Sequence, residues 1–325
     1  MRFSRRHLVS MGLGALGVAA AARLARAEAY PSRPVDLIVP YAPGGTTDTI
    51  ARLVGVSLQE RLAQPFNVES RAGAGTNVGA EAVVRSAPDG YALLMFDPSA
   101  AINATLYDKL NFNFMRDMAP IVCIYRTPLV IVTKPSVPAQ SLRELVAYAK
   151  ANPSKINMAS AGIGSSSHLA GELFGEMAGV AMTHIPYRGG GPAIAALLTG
   201  EVNVFFSPVA IAIAHIEAGK MRALAVTGAA RSPVLPQLPT AVEVAPGYEA
   251  SYWIGLGAPK ATAVDVLDRL NTDTSTILAA STIRTRFAKL GGATVGGTRG
   301  DFERLVADET GKWAKLIRSA NIKTQ

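Results

Sequence analysis

The sequence is poor in the residues that most often carry catalytic or metal chemistry. It contains one cysteine, Cys123, and four histidines, of which His7 lies close to the N-terminus. A single cysteine excludes an internal disulfide and a thiolate metal cluster. The few histidines leave little material for a catalytic triad or a histidine metal site. We therefore expect neither a cofactor nor a metal ion.

Motifs for nucleotide chemistry and for nucleophilic catalysis are also missing. Gly73 and Gly75 are followed by Val78, at a position where a dinucleotide-binding fingerprint has glycine or alanine. The chain has no Gly-Lys-Ser or Gly-Lys-Thr phosphate loop and no Gly-x-Ser-x-Gly nucleophile turn. The sequence therefore predicts a protein that is not an enzyme.

The clearest long apolar run, residues 8–22, lies at the N-terminus and is too short to span a bilayer comfortably. It follows three arginines and precedes Ala25-Arg26-Ala27, which fits the small-x-small pattern of a cleavage site. Residues 1–27 are predicted to be a cleavable export signal, which places the mature protein in the periplasm. Because residues 4–9 are similar to a twin-arginine signal, general export and twin-arginine export both stay open.

Positive charge is modest once the export signal is removed. The full chain has a net charge of +8, and residues 1–27 hold five arginines and no acid, which leaves +3. The mature chain also has no lysine- or arginine-rich run with interleaved aromatic residues. We expect no nucleic-acid partner.

Strand-like apolar runs alternate with helix-like segments along most of the mature chain, a pattern typical of parallel sheets covered by helices. The extended, proline-containing stretch 117–133 suits a chain that crosses between two lobes. We predict an α/β protein in which each lobe is a mainly parallel sheet flanked by helices. Lobe 1 is predicted to be discontinuous, with residues 28–125 plus 229–325, and lobe 2 to comprise residues 126–228.

A glycine turn between a predicted strand and a predicted helix is the strongest candidate binding element. An apolar run from Val35 ends at Pro43, and Gly44 and Gly45 permit backbone angles that other residues resist. Thr46, Thr47 or Asp48 can cap the following helix. The free N–H groups and the helix dipole then favour an anion at this turn without any side-chain cation. An ordinary strand-to-helix connection is the alternative.

Three further loops, at residues 71–79, 160–168 and 186–191, are rich in glycine and hydroxyl groups. Since ligands of open α/β sheets bind beyond the carboxyl ends of strands, these loops predict a cleft lined from both lobes. One serine of the run 165–167 is expected to cap a helix while the others stay available. Arg188 is the most obvious cation for a carboxylate, although a solvated surface position is an equally good interpretation.

Other polar and aromatic residues allow two interpretations. Asp97 either accepts a hydrogen bond from a ligand hydroxyl or amine, or caps a turn. His168, at a helix start, is more typical of a structural hydrogen bond than of catalysis. Tyr252 and Trp253 favour the core over the cleft.

These loops, taken together, resemble the extracytoplasmic receptors of tripartite tricarboxylate transporters, the Bug family. The resemblance covers essentially the whole mature chain. Its most specific motifs are Pro43-Gly44-Gly45-x-x-Asp48, Arg71-x-Gly73-Ala74-Gly75-x-Asn77, Gly164-Ser165-x-x-His168 and Pro186-Tyr187-Arg188-Gly189, within the segments 38–52, 69–80, 88–91, 164–172, 184–189, 215–225, 238–240 and 313–315.

The resemblance implies a periplasmic-binding-protein (Venus-flytrap) fold that captures a small carboxylate and delivers it to the permease subunits of a membrane transporter. Transferred to this chain, the resemblance predicts that one side of the site is formed by Gly45, Thr46, Thr47 and Asn77, with Gly44 in the turn before them. Ser165, Ser166, Tyr187 and Arg188 would form the other side, and side chains near Asp97 and Ser207 would tune ligand choice. We expect a monomer.

Two departures from the family pattern bear on the ligand and on the alternatives. Asp97 stands where small or hydroxyl residues are more usual, and Ser207 stands where an acid or amide often follows the phenylalanine. An acid at position 97 argues against a simple dicarboxylate and favours a ligand with an amine, amide or ring nitrogen. A receptor that presents its ligand to a sensor kinase stays open, as does, less favoured, a secreted hydrolase that uses Ser165 and His168.

Overall fold

The computed structural model of this protein describes residues 30–107, 109–153 and 155–324. The predicted export signal lies outside the described residues. The described helices and strands are β1 (Val35–Val39), α1 (Thr46–Leu62), β2 (Phe66–Ser70), α2 (Asn77–Val84), β3 (Ala92–Phe96), α3 (Ser99–Leu106), α4 (Phe114–Asp117), β4 (Met118–Thr133), α5 (Leu142–Ala151), β5 (Asn157–Ser160), α6 (Ser166–Ala178), β6 (Thr183–Pro186), α7 (Gly190–Thr199), β7 (Val204–Pro208), α8 (Val209–Glu217), β8 (Arg222–Val226), β9 (Ser251–Pro259), α9 (Val264–Ala279), α10 (Ser281–Lys289), β10 (Ala293–Gly296) and α11 (Arg299–Ser319).

The strands form a mixed sheet in the order β2-β1-β3-β9-β4-β7-β5-β6, with β8 and β10 also paired to β4. Strands β2, β1 and β3 are parallel, as are β6, β5 and β7. Strand β9 runs antiparallel to β3 and β4, and β4 runs antiparallel to β7, β8 and β10. The sheet is therefore mixed rather than mainly parallel, because antiparallel strands lie between the two parallel groups.

The long strand β4 connects the two groups of strands. Its residues 118–128 pair with β9, and its residues 129–133 pair with β7. Residues 130–133 also pair with β8, at the end of the second group of α/β units. The stretch predicted to cross between lobes is thus a single strand that belongs to both halves of the sheet.

The C-terminal helix returns to the first group of strands. Phe302 on α11 stacks on Phe96 of β3 with ring centroids 5.3 Å apart, and it meets Trp253 of β9 edge-on at 5.5 Å. A Cβ atom at Gly255 would overlap the Phe302 ring, so this strand needs glycine at the point where α11 packs. Burial of Phe302 and Trp253 fixes the tail against the first half of the sheet.

Residues 34–325 form one compact unit. The boundaries of the two predicted lobes within residues 34–325 therefore stay a prediction. Among the described residues, no helix is both long enough and apolar enough to cross a membrane.

Candidate ligand-binding site

A cavity lies where the N-terminal ends of α1, α6 and α7 come together. It has an empty volume of about 370 Å³, including space open to solvent. Its lining comprises Tyr41, Gly45, Thr46, Thr47, Asp97, Ala161, Ser165, Ser166, Ser167, Gly190, Pro208, Ile211 and Tyr252. Residues from both halves of the sheet thus face one narrow space.

The first wall of the cavity is the start of α1. Gly44 has a φ of +86°, which requires glycine, whereas Gly45 is extended with φ −85° and ψ 174°. The prediction that both glycines need special backbone angles is therefore wrong for Gly45. No side chain caps α1, because Asp48 instead accepts the Gly44 N–H at 3.1 Å and pairs with Arg52 at 2.9 Å. The N–H groups of the first turn stay available to a ligand.

The second wall is formed by α6 and α7. Ser165 caps α6, with its hydroxyl accepting the His168 N–H at 3.3 Å. Ser167 accepts the Ala161 N–H at 2.9 Å, which ties the preceding loop to the helix. Helix α7 begins at Gly190, and its N-cap residue offers no side-chain hydrogen bond. As predicted, one serine of the run caps the helix.

Two hydroxyl groups of the lining are left without partners. The side-chain oxygens of Thr46 and Ser166 are buried and have no hydrogen-bond partner within the described part of the chain. Each residue is only 3% exposed. Leaving a buried polar group unpaired costs about 1–3 kcal/mol. Both oxygens are therefore suited to a polar ligand group in the cavity.

A buried hydrogen-bond network around Asp97 forms another part of the wall. Asp97 Oδ2 accepts the Tyr41 hydroxyl at 2.8 Å, and Oδ1 accepts the Ser99 N–H at 2.9 Å and the Ser99 hydroxyl. The Tyr252 hydroxyl lies 2.7 Å from Thr47 Oγ1 and also interacts with Asp97. Burial raises the pKa of Asp97, and the hydrogen bonds from Ser99 and Tyr41 oppose that rise. The carboxyl group thus supports the wall and accepts the N–H of Ser99, the first residue of α3.

Backbone contacts join the loops on the two sides of the cavity. The Ala42 N–H donates to the Arg188 carbonyl at 2.9 Å. A Cβ atom at Gly191 would lie 3.1 Å from the Pro43 carbonyl oxygen, and one at Gly75 would overlap the Ile163 carbonyl oxygen. These segments pack backbone to backbone, because glycine leaves no side chain between them.

Residues 50–322 match the family model described as tripartite tricarboxylate transporter family receptor (TctC). The chain belongs to this receptor family. The predicted family is confirmed. It is a family of receptors, whose name pairs them with a transporter.

Relatives and solved structures support the assignment of this chain to the receptor family. The protein BugT of Bordetella pertussis is 37% identical over 300 residues, which cover 91% of this chain and 92% of BugT. The structure of R. palustris Rpa4515 with adipate matches with a TM-score of 0.88 and 33% identity, covering 90% of this chain and 99% of Rpa4515. The periplasmic binding protein BugD matches with a TM-score of 0.87 and 34% identity, covering 91% and 100% of the two chains. The predicted α/β periplasmic-binding-protein fold is confirmed.

The structure places six of the predicted site residues in the receptor's cavity lining: Gly45, Thr46, Thr47, Asp97, Ser165 and Ser166. Five others lie outside it. Gly44 shapes the turn, and Asn77 donates its side-chain amide to the Ala74 carbonyl at 2.8 Å. The Tyr187 hydroxyl donates to Glu201 at 2.8 Å, Arg188 is exposed, and the buried Ser207 hydroxyl donates to the Pro208 carbonyl. Their roles in binding stay predictions.

The sequence interpretation missed two tyrosines. Tyr41 lies just after β1 and Tyr252 lies on β9, and both reach the cavity while being almost fully buried. The expectation that Tyr252 belongs to the core was incomplete, whereas Trp253 is a core residue. Successive residues of a strand point to opposite faces of the sheet, so the sequence could have indicated that Tyr252 and Trp253 face different sides.

A stacked histidine pair lies behind the serine loop. The rings of His168 and His184 are 3.8 Å apart and nearly parallel. His168 Nδ1 accepts the Gly164 N–H at 3.2 Å, and His184 Nε2 lies 2.6 Å from Ser160 Oγ. Burial lowers the pKa of His168 to about 3 and that of His184 to about 4, and the neighbouring His184 ring also lowers the pKa of His168. Both histidines are therefore neutral near pH 7, and in this form they hold the serine loop through Gly164 and Ser160.

We expect the receptor to lose stability as the pH falls below about 6.5, because the unfolded chain then binds protons that the folded histidines do not. For His184 alone the loss is about 2.5 kcal/mol near pH 4.5. Replacing His184→Gln should flatten the decrease between about pH 7 and 4.5, as measured by urea unfolding. His215→Gln, on α8, leaves the pair intact and serves as control. An unchanged pH dependence in His184→Gln would contradict the assignment.

Proposed function

We propose that this protein is a periplasmic solute-binding receptor that captures a small carboxylate in the cavity and delivers it to a tripartite tricarboxylate-type membrane transporter. The observation that carries the proposal is the convergence of α1, α6 and α7 on one cavity. Its wall holds the hydroxyls of Thr46 and Ser166, which have no partner among the residues that the structure describes. Helix N-termini bind anions through free N–H groups and through the dipole. The adipate in the Rpa4515 structure supports a carboxylate as the ligand class.

The proposed mechanism is closure of two lobes. Lobe 1 comprises residues 28–125 plus 229–325, and lobe 2 comprises residues 126–228. Strand β4 crosses between them, and the contacts of Ala42 with Arg188 and of Gly75 with Ile163 join their loops across the cavity. A ligand that contacts both lobes stabilises the closed state in proportion to its differential affinity. The transporter can then distinguish the loaded receptor from the empty one.

Thermal unfolding of residues 28–325 tests ligand capture. A panel of mono- and dicarboxylates, aromatic acids, amino acids and nicotinate-like compounds should contain at least one stabilising ligand. A ligand at about a hundred times its Kd adds about 2.7 kcal/mol, which raises Tm by a few degrees. If no acid shifts Tm, mass spectrometry of the denatured protein shows whether a ligand was carried over from the host. The proposal would be refuted if no acid raised Tm and mass spectrometry found no ligand carried over from the host.

Delivery and location need measurements in cells. Deletion of the gene should abolish growth on the identified carboxylate as sole carbon source, and the wild-type gene should restore growth. Fractionation should recover the protein from the periplasm with residues 1–27 removed. If the deletion leaves growth unaffected but abolishes a signalling response to the carboxylate, the receptor presents its ligand to a sensor kinase and does not serve transport. Replacing Arg5 and Arg6 with lysine tests the twin-arginine route.

A further inference from the structure

The charges in the cavity lining bear on how many carboxylates the ligand can carry. Among the described residues that line it, none is a lysine, an arginine or a histidine. The lining contains one acid, Asp97, which is 1% exposed. Within the described lining, compensation for a ligand carboxylate therefore comes from N–H groups, hydroxyls and helix dipoles.

The hydrogen bonds of Asp97 fit a carboxylate. A carboxylate has about four acceptor positions, and a protonated acid would also need an acceptor for its own proton. Oδ1 receives the N–H and the hydroxyl of Ser99, and Oδ2 receives the Tyr41 hydroxyl. The Ser99 N–H can only donate. These donors hold a negative charge at the cavity wall.

A second ligand carboxylate would add a like charge in a confined space. Charges closer together than the Debye length, roughly 8 Å at physiological ionic strength, are only weakly screened by mobile ions, and buried charges are screened even less. A dicarboxylate would bring the total to three negative charges with no side-chain cation. A ligand ammonium would instead offset the charge of Asp97, as an opposite charge within about 4–6 Å does.

We propose that the ligand of this receptor is a monocarboxylate that also carries an ammonium or another hydrogen-bond donor, and that Asp97 selects it against dicarboxylates of the same length. The proposal rests on the proposed function, because it takes the carboxylate to sit at the N-termini of α1, α6 and α7. Tyr252 also interacts with this carboxyl group, so its acceptor positions are largely occupied by protein donors. We therefore attribute the selection between ligands to the charge of Asp97 and not to a direct hydrogen bond from the ligand.

Isothermal titration calorimetry on the purified receptor tests the proposal with matched sets of acids. One set is 4-aminobutanoate, butanoate and butanedioate, and the longer set is 6-aminohexanoate, hexanoate and hexanedioate, with 3-aminopropanoate, propanoate and malonate as the shortest. In the set whose length fits, the amino acid should bind at least about tenfold more tightly than the diacid. Tighter binding of the diacid overturns the proposal and leaves the proposed function standing. No binding of any acid, including the thermal-shift panel, overturns the proposed function itself.

Two variants separate the charge of Asp97 from its structural role. Asp97→Asn removes the charge but keeps an oxygen for the Ser99 N–H, and it should reduce the preference for the amino acid at least about tenfold. Ser99→Ala removes one donor from the same network and keeps the charge, so it should retain the preference. Equal loss of preference in both variants would overturn the proposal. If Asp97→Asn does not fold by circular dichroism, the wild-type preference and that of Ser99→Ala decide alone.

Discussion

Replacing Thr46 with proline should weaken carboxylate binding by at least about a hundredfold and leave the fold intact. Thr46 is the first residue of α1, and its hydroxyl is buried at the cavity wall with no hydrogen-bond partner among the described residues. Proline removes this hydroxyl and the first amide N–H together. Hydrogen bonds to a charged group contribute about 1.5–3 kcal/mol each, so losing two of them accounts for the expected effect. Calorimetry with the acid identified by thermal shift measures it.

The fold should tolerate this proline because the first helical position accepts it. The preceding residue, Gly45, is extended, which is the conformation that a following proline requires. Val264→Pro is the matched control, because Val264 begins α9, follows an extended Ala263 and is 63% exposed. Both variants should keep Tm within a few degrees, and only Thr46→Pro should lose binding. Wild-type affinity in Thr46→Pro would exclude the start of α1 from the site.

Replacing Gly45 with valine should weaken binding by at least about tenfold by opposing closure. The extended backbone of Gly45 suits valine, and a Cβ atom would lie 3.7 Å from the Gly190 nitrogen, an ordinary contact. The two methyl groups extend beyond that contact into the cavity or against α7. Overpacking of this kind costs about 1–3 kcal/mol. Gly45→Ala adds only the Cβ atom and should change the affinity by less than about threefold.

Small-angle X-ray scattering distinguishes blocked closure from lost folding. With saturating ligand, the wild-type radius of gyration should decrease, and that of Gly45→Val should stay at its ligand-free value. Ala263→Val places valine at the exposed N-cap of α9 and controls for the effect of valine at a helix start. Normal affinity and normal compaction in Gly45→Val would show that Gly45 and Gly190 do not meet in the bound state.

Local signals predicted much of the candidate site. Proline, glycine and threonine after an apolar run indicate a strand, a turn and a helix start, and the structure has β1, the Gly44 turn and α1 at those positions. The serine run predicted a capped helix, and Ser165 caps α6. These features depend on backbone geometry within a few residues, which the nearby sequence controls.

Other features escaped local reasoning. Strand β9 contains Gly255 and Gly257, which disfavour a strand on their own. Gly255 is explained only by Phe302, which lies far along the chain and packs on it from α11. The prediction that glycine is required at position 45 for its backbone angles was wrong, because the backbone of Gly45 is extended. A Cβ atom there would meet the start of α7 at an ordinary contact distance.

The sequence by itself determined the α/β class, the receptor family and the loops that begin α1 and α6, because hydrophobic periodicity, turn residues and helix caps act over short distances. Only the tertiary structure decided that Tyr41 and Tyr252 join Asp97 in the cavity wall. It also decided that the Ser166 hydroxyl has no hydrogen-bond partner in the described part of the chain, whereas those of Ser165 and Ser167 have one. Hydrogen bonds between residues far apart in sequence depend on which strands pair and which helices converge, and no local pattern specifies them.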